Sequence, residues 1–150
     1  MSVAIDLSGK DALITGASQG LGAATARALH AAGCRVAINH PGLEATAADA
    51  GAIAGELNAV RPDSARAVAC DVSDADAVQA MMADLKTDWG GLDFLINNAG
   101  TTRFIDFQDL DAVTDEDWER IFAVNLKGPF QMARAAREAL AAGEGGVIVN

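Results

Sequence analysis

Hydrophobic residues along the chain fall into two kinds of segment that alternate. The first kind is short and almost continuously apolar, which is typical of strands covered on both faces of a sheet. These runs occupy residues 12–15, 35–38, 67–70, 94–97 and 147–150. The second kind is longer, alanine-rich and spaced for a helix, and the last such stretch is long enough for two helices or one broken helix. These stretches occupy residues 20–32, 43–58, 74–89 and 114–142.

The alternating order predicts the fold class. Repeated βα units favour a parallel sheet with right-handed crossovers and helices on both faces. We therefore predict an α/β protein with a doubly wound parallel sheet, a Rossmann-like three-layer αβα arrangement that forms one domain over residues 1–150. Helix punctuation agrees with this order. The expected N-caps are Ser73 and Thr114, and the expected C-terminal stops are Gly33 and Gly143.

Charge and composition narrow the possible partners. The 150 residues carry 21 acidic and 11 basic side chains, a formal net charge of −10, and 51% of them are hydrophobic. A chain this apolar can bury a core, whereas nucleic acid and anionic membranes select clusters of Lys and Arg. We therefore expect no nucleic acid and no membrane among the partners.

From the sequence we expect neither a leader nor a metal-binding site. Residues 1–10 lack the positive segment and apolar stretch that mark a signal peptide, and no apolar run reaches the ~20 residues that a membrane helix needs. Cys34 and Cys70 lack the spacing of a zinc site, so we expect two buried free thiols. The prediction is a cytoplasmic protein without a metal site.

A few conspicuous side chains receive an ordinary structural interpretation. We expect His30 on a helix surface, and Trp89 and Trp118 as packing residues. The acidic stretch 106–119 lacks the glycine and spacing of a calcium loop, so helix-start carboxylates and a solvated face explain it better.

A glycine-rich loop, Thr15-Gly16-Ala17-Ser18-Gln19-Gly20-Leu21-Gly22, separates the first predicted strand from the first predicted helix. Gly16 can adopt a turn closed to other residues, and Gly20 and Gly22 allow close approach of the backbone to a ligand and to the sheet. The free N–H groups of the helix would then face a pyrophosphate. Such a loop can also serve packing alone, but its position between strand and helix favours dinucleotide binding. No Gly-Lys-Ser/Thr sequence follows, which disfavours nucleoside triphosphate hydrolysis.

The loop resembles the Thr-Gly-x-x-x-Gly-x-Gly motif of the short-chain dehydrogenase/reductase family, and three further motifs follow in that family's order. Asp71-Val72 matches the segment that contacts the adenine ring. Asn97-Asn98-Ala99-Gly100 matches the end of the fourth strand, which lines the nicotinamide side, and Asn125 matches the asparagine of the catalytic tetrad. The resemblance implies an NAD(P)-dependent oxidoreductase that transfers hydride between the nicotinamide cofactor and a small-molecule carbonyl or alcohol substrate.

The predicted site consists of one catalytic residue, Asn125, and a larger cofactor-binding set. The cofactor-binding set is Gly16, Ser18, Gln19, Gly20, Leu21, Gly22, Asn39, His40, Asp71, Val72, Asn98, Ala99 and Gly100. Several members also have structural interpretations: Asp71 could simply close a strand, residues 97–100 could be turn chemistry, and Asn125 could be an ordinary helix residue. Pro129 should disturb that helix and free backbone carbonyls, and the family resemblance implies a water held there in a proton relay.

The choice between NADP and NAD depends on the end of the second strand. An acidic residue there would bind the ribose hydroxyls and repel a 2′-phosphate, which favours NAD. The sequence has Asn39 and His40 instead, and Arg35 would favour a 2′-phosphate if its side chain reached it. Gln19 stands where many NADP-preferring relatives carry Arg or Lys. The balance favours NADP over NAD.

The resemblance breaks at the acid/base residues. In the family, hydride transfer uses a Ser and a Tyr-x-x-x-Lys pair after the fifth strand, with tyrosine as general acid/base. This sequence contains no tyrosine and ends at Asn150, within the predicted fifth strand. We therefore expect the NAD(P)-binding, N-terminal portion of a longer, homo-oligomeric reductase, truncated after the fifth strand and incomplete at the C-terminus. The 150-residue chain alone is expected to be inactive.

Two other functions remain open from the sequence. The chain could be a non-catalytic dinucleotide-binding module or sensor, or a structural protein that keeps the fold without the ligand. The substrate is not predicted, because fold does not dictate substrate. Only residues 101–104 are placed to touch one, and Arg103 is expected to be a solvated arginine rather than a partner of a substrate carboxylate.

Overall fold

The computed structural model describes residues 5–150, and its helices and strands follow the predicted order. The strands are β1 (Asp11–Ile14), β2 (Arg35–His40), β3 (Ala65–Ala69), β4 (Phe94–Ile96) and β5 (Val147–Val149). The α-helices are α1 (Gly20–Ala31), α2 (Glu44–Val60), α3 (Ala75–Trp89), α4 (Asp115–Phe122) and α5 (Gly128–Ala141). Between α4 and α5 runs a π-helical segment, Ala123–Lys127, so the long last stretch is a broken helix. Residues 1–4, on which part of the signal-peptide expectation falls, lie outside the described residues.

All five strands form one parallel sheet in the order β3-β2-β1-β4-β5, which confirms the predicted doubly wound α/β architecture. In register, Leu13 of β1 lies between Ala37 of β2 and Leu95 of β4. The chain runs outward from β1 to β3 and then returns to place β4 on the other side of β1. Ligands of open α/β sheets bind beyond the carboxyl ends of the strands at such a reversal.

Side chains of successive strand residues point to opposite faces of the sheet and pack in two apolar layers, one on each face. Ile14 packs in the layer covered by α1 and α2, whereas Leu13 packs in the layer covered by α3 and α5. Buried members of the first layer include Ala26, Ile38, Ile53 and Leu57, and those of the second include Val78, Leu85, Leu95 and Met132. Because helices cover both faces of the central strands, residues 12–14, 36–38 and 94–96 are continuously apolar, as the sequence indicated. The edge strand β5 is also apolar, but its residues are 42–51% exposed.

Helix starts follow the predicted punctuation with one correction. Thr114 begins α4 in a reciprocal capping box with Asp117, as expected. The expected cap at Ser73 is wrong, because the next residue, Asp74, caps α3 by accepting two backbone N–H groups of the first turn. The Ser73 hydroxyl instead donates to Oδ1 of Asp71 at 2.7 Å, and Asp74 occupies the N-cap position, where an aspartate is favoured.

Glycines with positive φ follow the C-termini of several helices. Gly33 follows α1 with φ +111°, as expected, and Gly90 ends α3 with φ +82°. Gly143 follows the C-terminal cap of α5, but the residue with left-handed φ in this turn is Gly145, at +107°.

The expectation that His30 lies on a helix surface is wrong. Its ring is buried, and Nε2 lies 2.6 Å from the hydroxyl of Ser64. The reason is tertiary, since the last turn of α1 packs against the loop that enters β3.

Cys34 and Cys70 are buried free thiols, as expected, and burial raises the pKa of each thiol to about 11.

The tryptophans and Arg35 lie away from the predicted ligand site. Trp118 is 59% exposed and packs on the surface against Phe122, with the two ring centroids 5.5 Å apart. Trp89 is partly buried, and the guanidinium groups of Arg35 and Arg66 lie 4.5 and 5.4 Å from its ring centroid. Arg35 also forms a two-bonded ion pair with Asp11 at the amino end of the sheet, so its side chain does not reach the carboxyl end.

Residues 5–150, which the structure describes, contain neither a membrane-spanning helix nor a cluster of metal ligands. None of the helices there combines the length and apolar character that crossing a membrane requires. The same residues contain no group of three or more His, Cys, Asp or Glu side chains arranged to hold a metal ion.

Candidate functional site

A cleft of about 400 Å³ opens at the carboxyl ends of the strands, beside the point where the strand order reverses. Nine residues of the predicted cofactor-binding set line it: Gly16, Ser18, Gln19, Asn39, Asp71, Val72, Asn98, Ala99 and Gly100. Gly20, Leu21, Gly22 and His40 lie outside its wall. The wall also contains Thr101, which the sequence placed near a substrate, and residues that the sequence did not predict, namely Pro41, Leu43, Thr46, Cys70, Arg120 and Val124.

At two positions of the loop at 15–22 only glycine fits, because neighbouring atoms lie too close for a Cβ. Gly16 has φ +60°, and a Cβ there would lie 2.8 Å from the Cα of Ala99. Gly22 has an ordinary helical conformation, but a Cβ there would lie 2.5 Å from Nδ2 of Asn98 and 2.6 Å from the carbonyl oxygen of Gly16. Any side chain at either position would separate the loop from the end of β4.

Thr15 and Asn98 fasten the glycine loop to β4. The Thr15 hydroxyl accepts from the backbone N–H groups of Asn98 (3.0 Å) and Ala99 (2.9 Å) and donates to the carbonyl of Ile96 (3.3 Å). Asn98 Nδ2 donates back to the carbonyls of Thr15 (2.9 Å) and Gly16 (3.0 Å). The two segments predicted to bind one ligand therefore hold each other in position.

Asn39 braces the same loop from the other side. Its side chain is 1% exposed. Oδ1 accepts from the backbone N–H of Gly16 (3.2 Å), while Nδ2 donates to the carbonyls of Cys70 (3.0 Å) and Val68 (3.3 Å). The carboxamide thus joins the ends of β1, β2 and β3, and its polar groups are engaged by the protein.

His40 is also buried at the end of β2. Its Nδ1 accepts from the backbone N–H of Gly42 at 3.2 Å, so the neutral ring carries its proton on Nε2. Burial lowers the pKa of His40, which keeps the ring neutral near pH 7. The end of β2 therefore presents neither a carboxylate nor a charged imidazole to the cleft.

Helix N-termini near the cleft differ from those elsewhere. Gln19 is the N-cap residue of α1 and Leu43 that of α2, and neither supplies a side-chain hydrogen bond to the helix. The N–H groups of the first turn have no intrahelical acceptor, so these two helices retain free donors. In contrast, α3 and α4 are capped by Asp74 and Thr114. Free backbone donors and a positive helix end suit a phosphate group.

Asp71 extends from the end of β3 into the cleft. Its Oδ1 accepts from the backbone N–H (2.9 Å) and the hydroxyl (2.7 Å) of Ser73, and its Oδ2 accepts from Nη1 of Arg120 (3.2 Å). Partial burial acts to raise the pKa of Asp71, but these hydrogen bonds and the arginine charge outweigh it, and the pKa lies below its ordinary value. Asp71 is therefore an ionised acceptor at neutral pH.

Val72 ties the end of β3 to the start of α5. Its carbonyl accepts from Nε2 of Gln131 at 2.8 Å, and a Cβ on Gly128 would lie 2.8 Å from its Cγ2. Gly128 thus lets the helix approach the strand end closely.

Asn125 lies in the π-helical segment and bonds to the loop after β4. Its Oδ1 accepts from the backbone N–H of Thr101 (2.8 Å), and its Nδ2 donates to the carbonyl of the same residue (2.9 Å). The side chain is thus occupied in positioning this loop. The π-segment ends at Lys127, two residues before Pro129. Pro129 lacks the N–H that would donate to the Asn125 carbonyl in an α-helix, so the predicted helix break takes the form of a π-segment.

The loop after Gly100 is the most exposed part of the cleft surroundings. Arg103 pairs with Asp117 of α4, and half of its side chain is exposed, in keeping with a solvated arginine. Phe104 and Phe107 are almost fully exposed. Arg120 had no sequence signal, since its partner lies 49 residues earlier and only the tertiary fold brings the two together.

Comparison with known proteins places these motifs in one family. A family model described as short chain dehydrogenase matches residues 10–150. The chain is 39% identical to D-threitol dehydrogenase of Mycolicibacterium smegmatis over 96% of its own length and 52% of that protein. It is likewise 39% identical to sorbitol dehydrogenase of Cereibacter sphaeroides, again over 96% of this chain and 52% of the relative. The chain thus spans about half the length of these curated relatives.

A solved structure gives the same result. A short chain dehydrogenase from Burkholderia cenocepacia, crystallised in complex with NADP, superposes with a TM-score of 0.84 at 37% identity. The match covers 95% of this chain and 54% of that one. The likeness therefore extends over the sheet, the helices and the motifs that line the cleft.

Proposed function

Because the chain belongs to the short-chain dehydrogenase family, we propose that it binds NADP(H) in this cleft for hydride transfer to or from a small-molecule carbonyl or alcohol. The mutual fastening of the glycine loop and the end of β4 carries the proposal. Gly16 and Gly22 leave no room for a Cβ, and Asn98 is engaged with the loop itself. A packing loop would not need free helix donors beside it, whereas a pyrophosphate would.

Each part of the cleft has a proposed share in holding the cofactor. The loop at 15–22 and the start of α1 would bind the pyrophosphate, with Ser18 and Gln19 in the cleft wall. Asp71 and Val72 would flank the adenine, and residues 98–100 would line the nicotinamide side. When bound, the nicotinamide ring supplies the hydride or accepts it.

The preference for NADP over NAD rests on charge at the end of β2. A carboxylate there would repel a 2′-phosphate, but Asn39 is neutral and His40 is kept neutral by burial. The relative from Burkholderia cenocepacia was crystallised with NADP. No cation of the described residues lines this end of the cleft, so the proposed preference is modest.

The proposed substrate is a small alcohol or its carbonyl product. The relatives named for D-threitol and sorbitol support a polyhydroxy compound. Asn125 would act on it indirectly, by fixing the Thr101 loop through its side chain. Its backbone carbonyl, which faces no N–H from Pro129, would hold a proton-relay water.

The sequence contains no tyrosine, which bears on whether these 150 residues can catalyse the reaction. Family members use a tyrosine as general acid/base, so we propose that these 150 residues bind the dinucleotide without turning it over. The same composition favours, as a second candidate, a dinucleotide-binding module or sensor that does no chemistry.

Cys34 and Cys70, buried and unpaired, support the proposed cytoplasmic location, where thiols stay reduced.

A row of exposed apolar side chains supports assembly into a homo-oligomer. Trp118, Phe122, Leu126 and Phe130 follow one another at four-residue spacing along α4, the π-segment and α5, and all are at least 48% exposed. Exposed apolar rows of this kind are typical of protein interfaces. Equilibrium sedimentation should detect a dimer or larger assembly, and a strictly monomeric chain at high concentration would contradict this part of the proposal.

The experiment that tests the proposed function has two arms. Fluorescence titration of the 150-residue chain with NADPH and NADH should show saturable binding, tighter for NADPH. An absorbance assay with pyruvaldehyde-type carbonyls and simple polyols should show no cofactor turnover. Turnover by the pure chain would overturn the binding-only feature, and a folded chain that binds neither dinucleotide would overturn the proposed function.

A further inference from the structure

Arg120 lies at the edge of the cleft and reaches from α4 to the end of β3. Its Nη1 donates to Oδ2 of Asp71 and to the hydroxyl of Ser73, each at 3.2 Å. It lines the same cleft as Asp71 and Val72. Since α4 contributes no buried residue, this contact is a main link between the helix and the strand end.

Both oxygens of the Asp71 carboxylate have defined donors. Ser73 supplies two hydrogen bonds to Oδ1, and Arg120 supplies one to Oδ2. A carboxylate oxygen can accept more than one hydrogen bond, so Oδ2 keeps capacity for a ligand donor in the cleft. Without Arg120 the carboxylate would be held through Oδ1 alone, and Oδ2 would be free to turn towards solvent.

Stability does not explain this ion pair well. The side chains of Arg120 and Asp71 are 54% and 34% exposed. Exposed pairs contribute little to the free energy of unfolding, because solvent screens the charges and both side chains lose freedom. Orientation of the carboxylate is a better account of why an arginine at this position lines the cleft.

We propose that Arg120 is a positioning residue for the adenine end of the cleft, holding Oδ2 of Asp71 so that this atom accepts a hydrogen bond from the exocyclic amino group of a purine. This inference rests on the proposed function, which puts the adenine of NADP(H) beside Asp71. Adenine offers an amino donor there, whereas hypoxanthine offers a carbonyl oxygen, which a carboxylate disfavours. A carboxylate held by Arg120 discriminates between the two bases, and one that is free to turn discriminates less.

The test compares wild type with Arg120→Met in fluorescence titrations of the 150-residue chain. The probes are NADPH and its deamino analogue, in which hypoxanthine replaces adenine. Wild type should bind NADPH about tenfold more tightly than the analogue, and Arg120→Met should lower this preference to about twofold. Arg120→Lys keeps the charge and should recover part of the preference. A merely structural role would weaken both ligands by the same factor.

A double-mutant cycle and a matched control complete the design. Because Arg120 acts through Asp71, adding Arg120→Met to Asp71→Asn should not change the preference further. Lys86→Met removes another exposed ion pair, that with Glu138, and should keep the wild-type preference. Circular dichroism checks folding, and Arg120→Gln replaces Arg120→Met if the latter does not fold.

Two results overturn the inference while the proposed function stands. One is an unchanged preference in a folded Arg120 variant, and the other is a wild-type chain that binds both dinucleotides equally. A folded wild-type chain that binds neither overturns the inference and the proposed function together.

Discussion

Two regions border the cleft, and they are held in opposite ways. The glycine-loop side, formed by residues 15–22 and 96–100, is fixed by partly buried hydrogen bonds and by contacts too close for a Cβ. The α4 side, formed by residues 115–127, has one buried residue, Val124, and is fixed by exposed ion pairs, a capping box and the Asn125 side chain. The wall proposed to bind the dinucleotide is thus held by the core of this chain, whereas the opposite wall is held by polar contacts that solvent weakens.

The largest expected effect comes from Gly22→Ala on the glycine-loop side. The new Cβ would overlap Asn98 Nδ2 and the Gly16 carbonyl, and overpacking of this kind costs about 1–3 kcal/mol. Because the loop must shift, NADPH affinity should fall by about a hundredfold. Chemical denaturation and fluorescence titration measure the two quantities.

Gly55→Ala in α2 is the matched control for that substitution. It has the same gain in helix propensity, but a Cβ there meets nothing within 4 Å. It should raise the free energy of unfolding by about 0.5–1 kcal/mol and leave NADPH affinity unchanged. Equal effects of the two substitutions would contradict the steric account of Gly22.

The next largest effect is expected from Asn39→Leu. This change leaves the Gly16 N–H and the Cys70 carbonyl without their partner, at a cost of about 1–3 kcal/mol, and should lower NADPH affinity. Asn58→Leu is the control, because Asn58 bonds in the same way to Ser64 and Ala65, outside the cleft. It should destabilise the chain similarly without lowering affinity, and a matching loss of affinity would count against the brace assigned to Asn39.

On the α4 side, Thr114→Ala should have a smaller effect. Loss of the capping box costs about 1 kcal/mol, because an N–H group of the first turn loses its acceptor. Affinity for NADPH should stay within twofold of wild type, since the glycine-loop side is untouched. Hydrogen exchange should speed up in α4 first, and a large loss of affinity would show that the two sides are not independent.

The smallest expected effect is a pH dependence of the free energy of unfolding, in which the buried His30 and the Asp117 of α4 act at different pH values. Burial, aided by the Arg61 charge, lowers the pKa of His30 below its ordinary 6.5. The unfolded chain therefore takes up the proton first, and the free energy of unfolding should decline as pH falls from 7 to 5. Hydrogen bonds from Thr114 lower the pKa of Asp117 below 3.8, so its contribution is present above that pH and is lost only below it.

Denaturation of His30→Gln between pH 7 and 5 checks the decline assigned to His30. The variant can still bond to Ser64 but does not titrate, so its decline between pH 7 and 5 should be shallower than that of wild type. An identical slope in the two proteins would contradict the assignment to His30.

Local patterns predicted the glycine loop and the sheet, because strand periodicity and the need for glycine in a tight turn are properties of neighbouring residues. The sequence could not reveal that Asn39 braces the loop, since its acceptors on Val68 and Cys70 depend on the strand order. Arg120 escaped prediction for the same reason. His30 was misassigned because helical spacing alone does not say which loop packs over a helix end.

Calorimetric titration of the 150-residue chain with NADPH, run beside Gly22→Ala and Gly55→Ala, tests the central claim most directly. Wild type and Gly55→Ala should each show one saturable site per chain, and a folded Gly22→Ala should bind NADPH about a hundredfold more weakly. Absence of saturable binding by folded wild type, or equal binding by all three proteins, would contradict it.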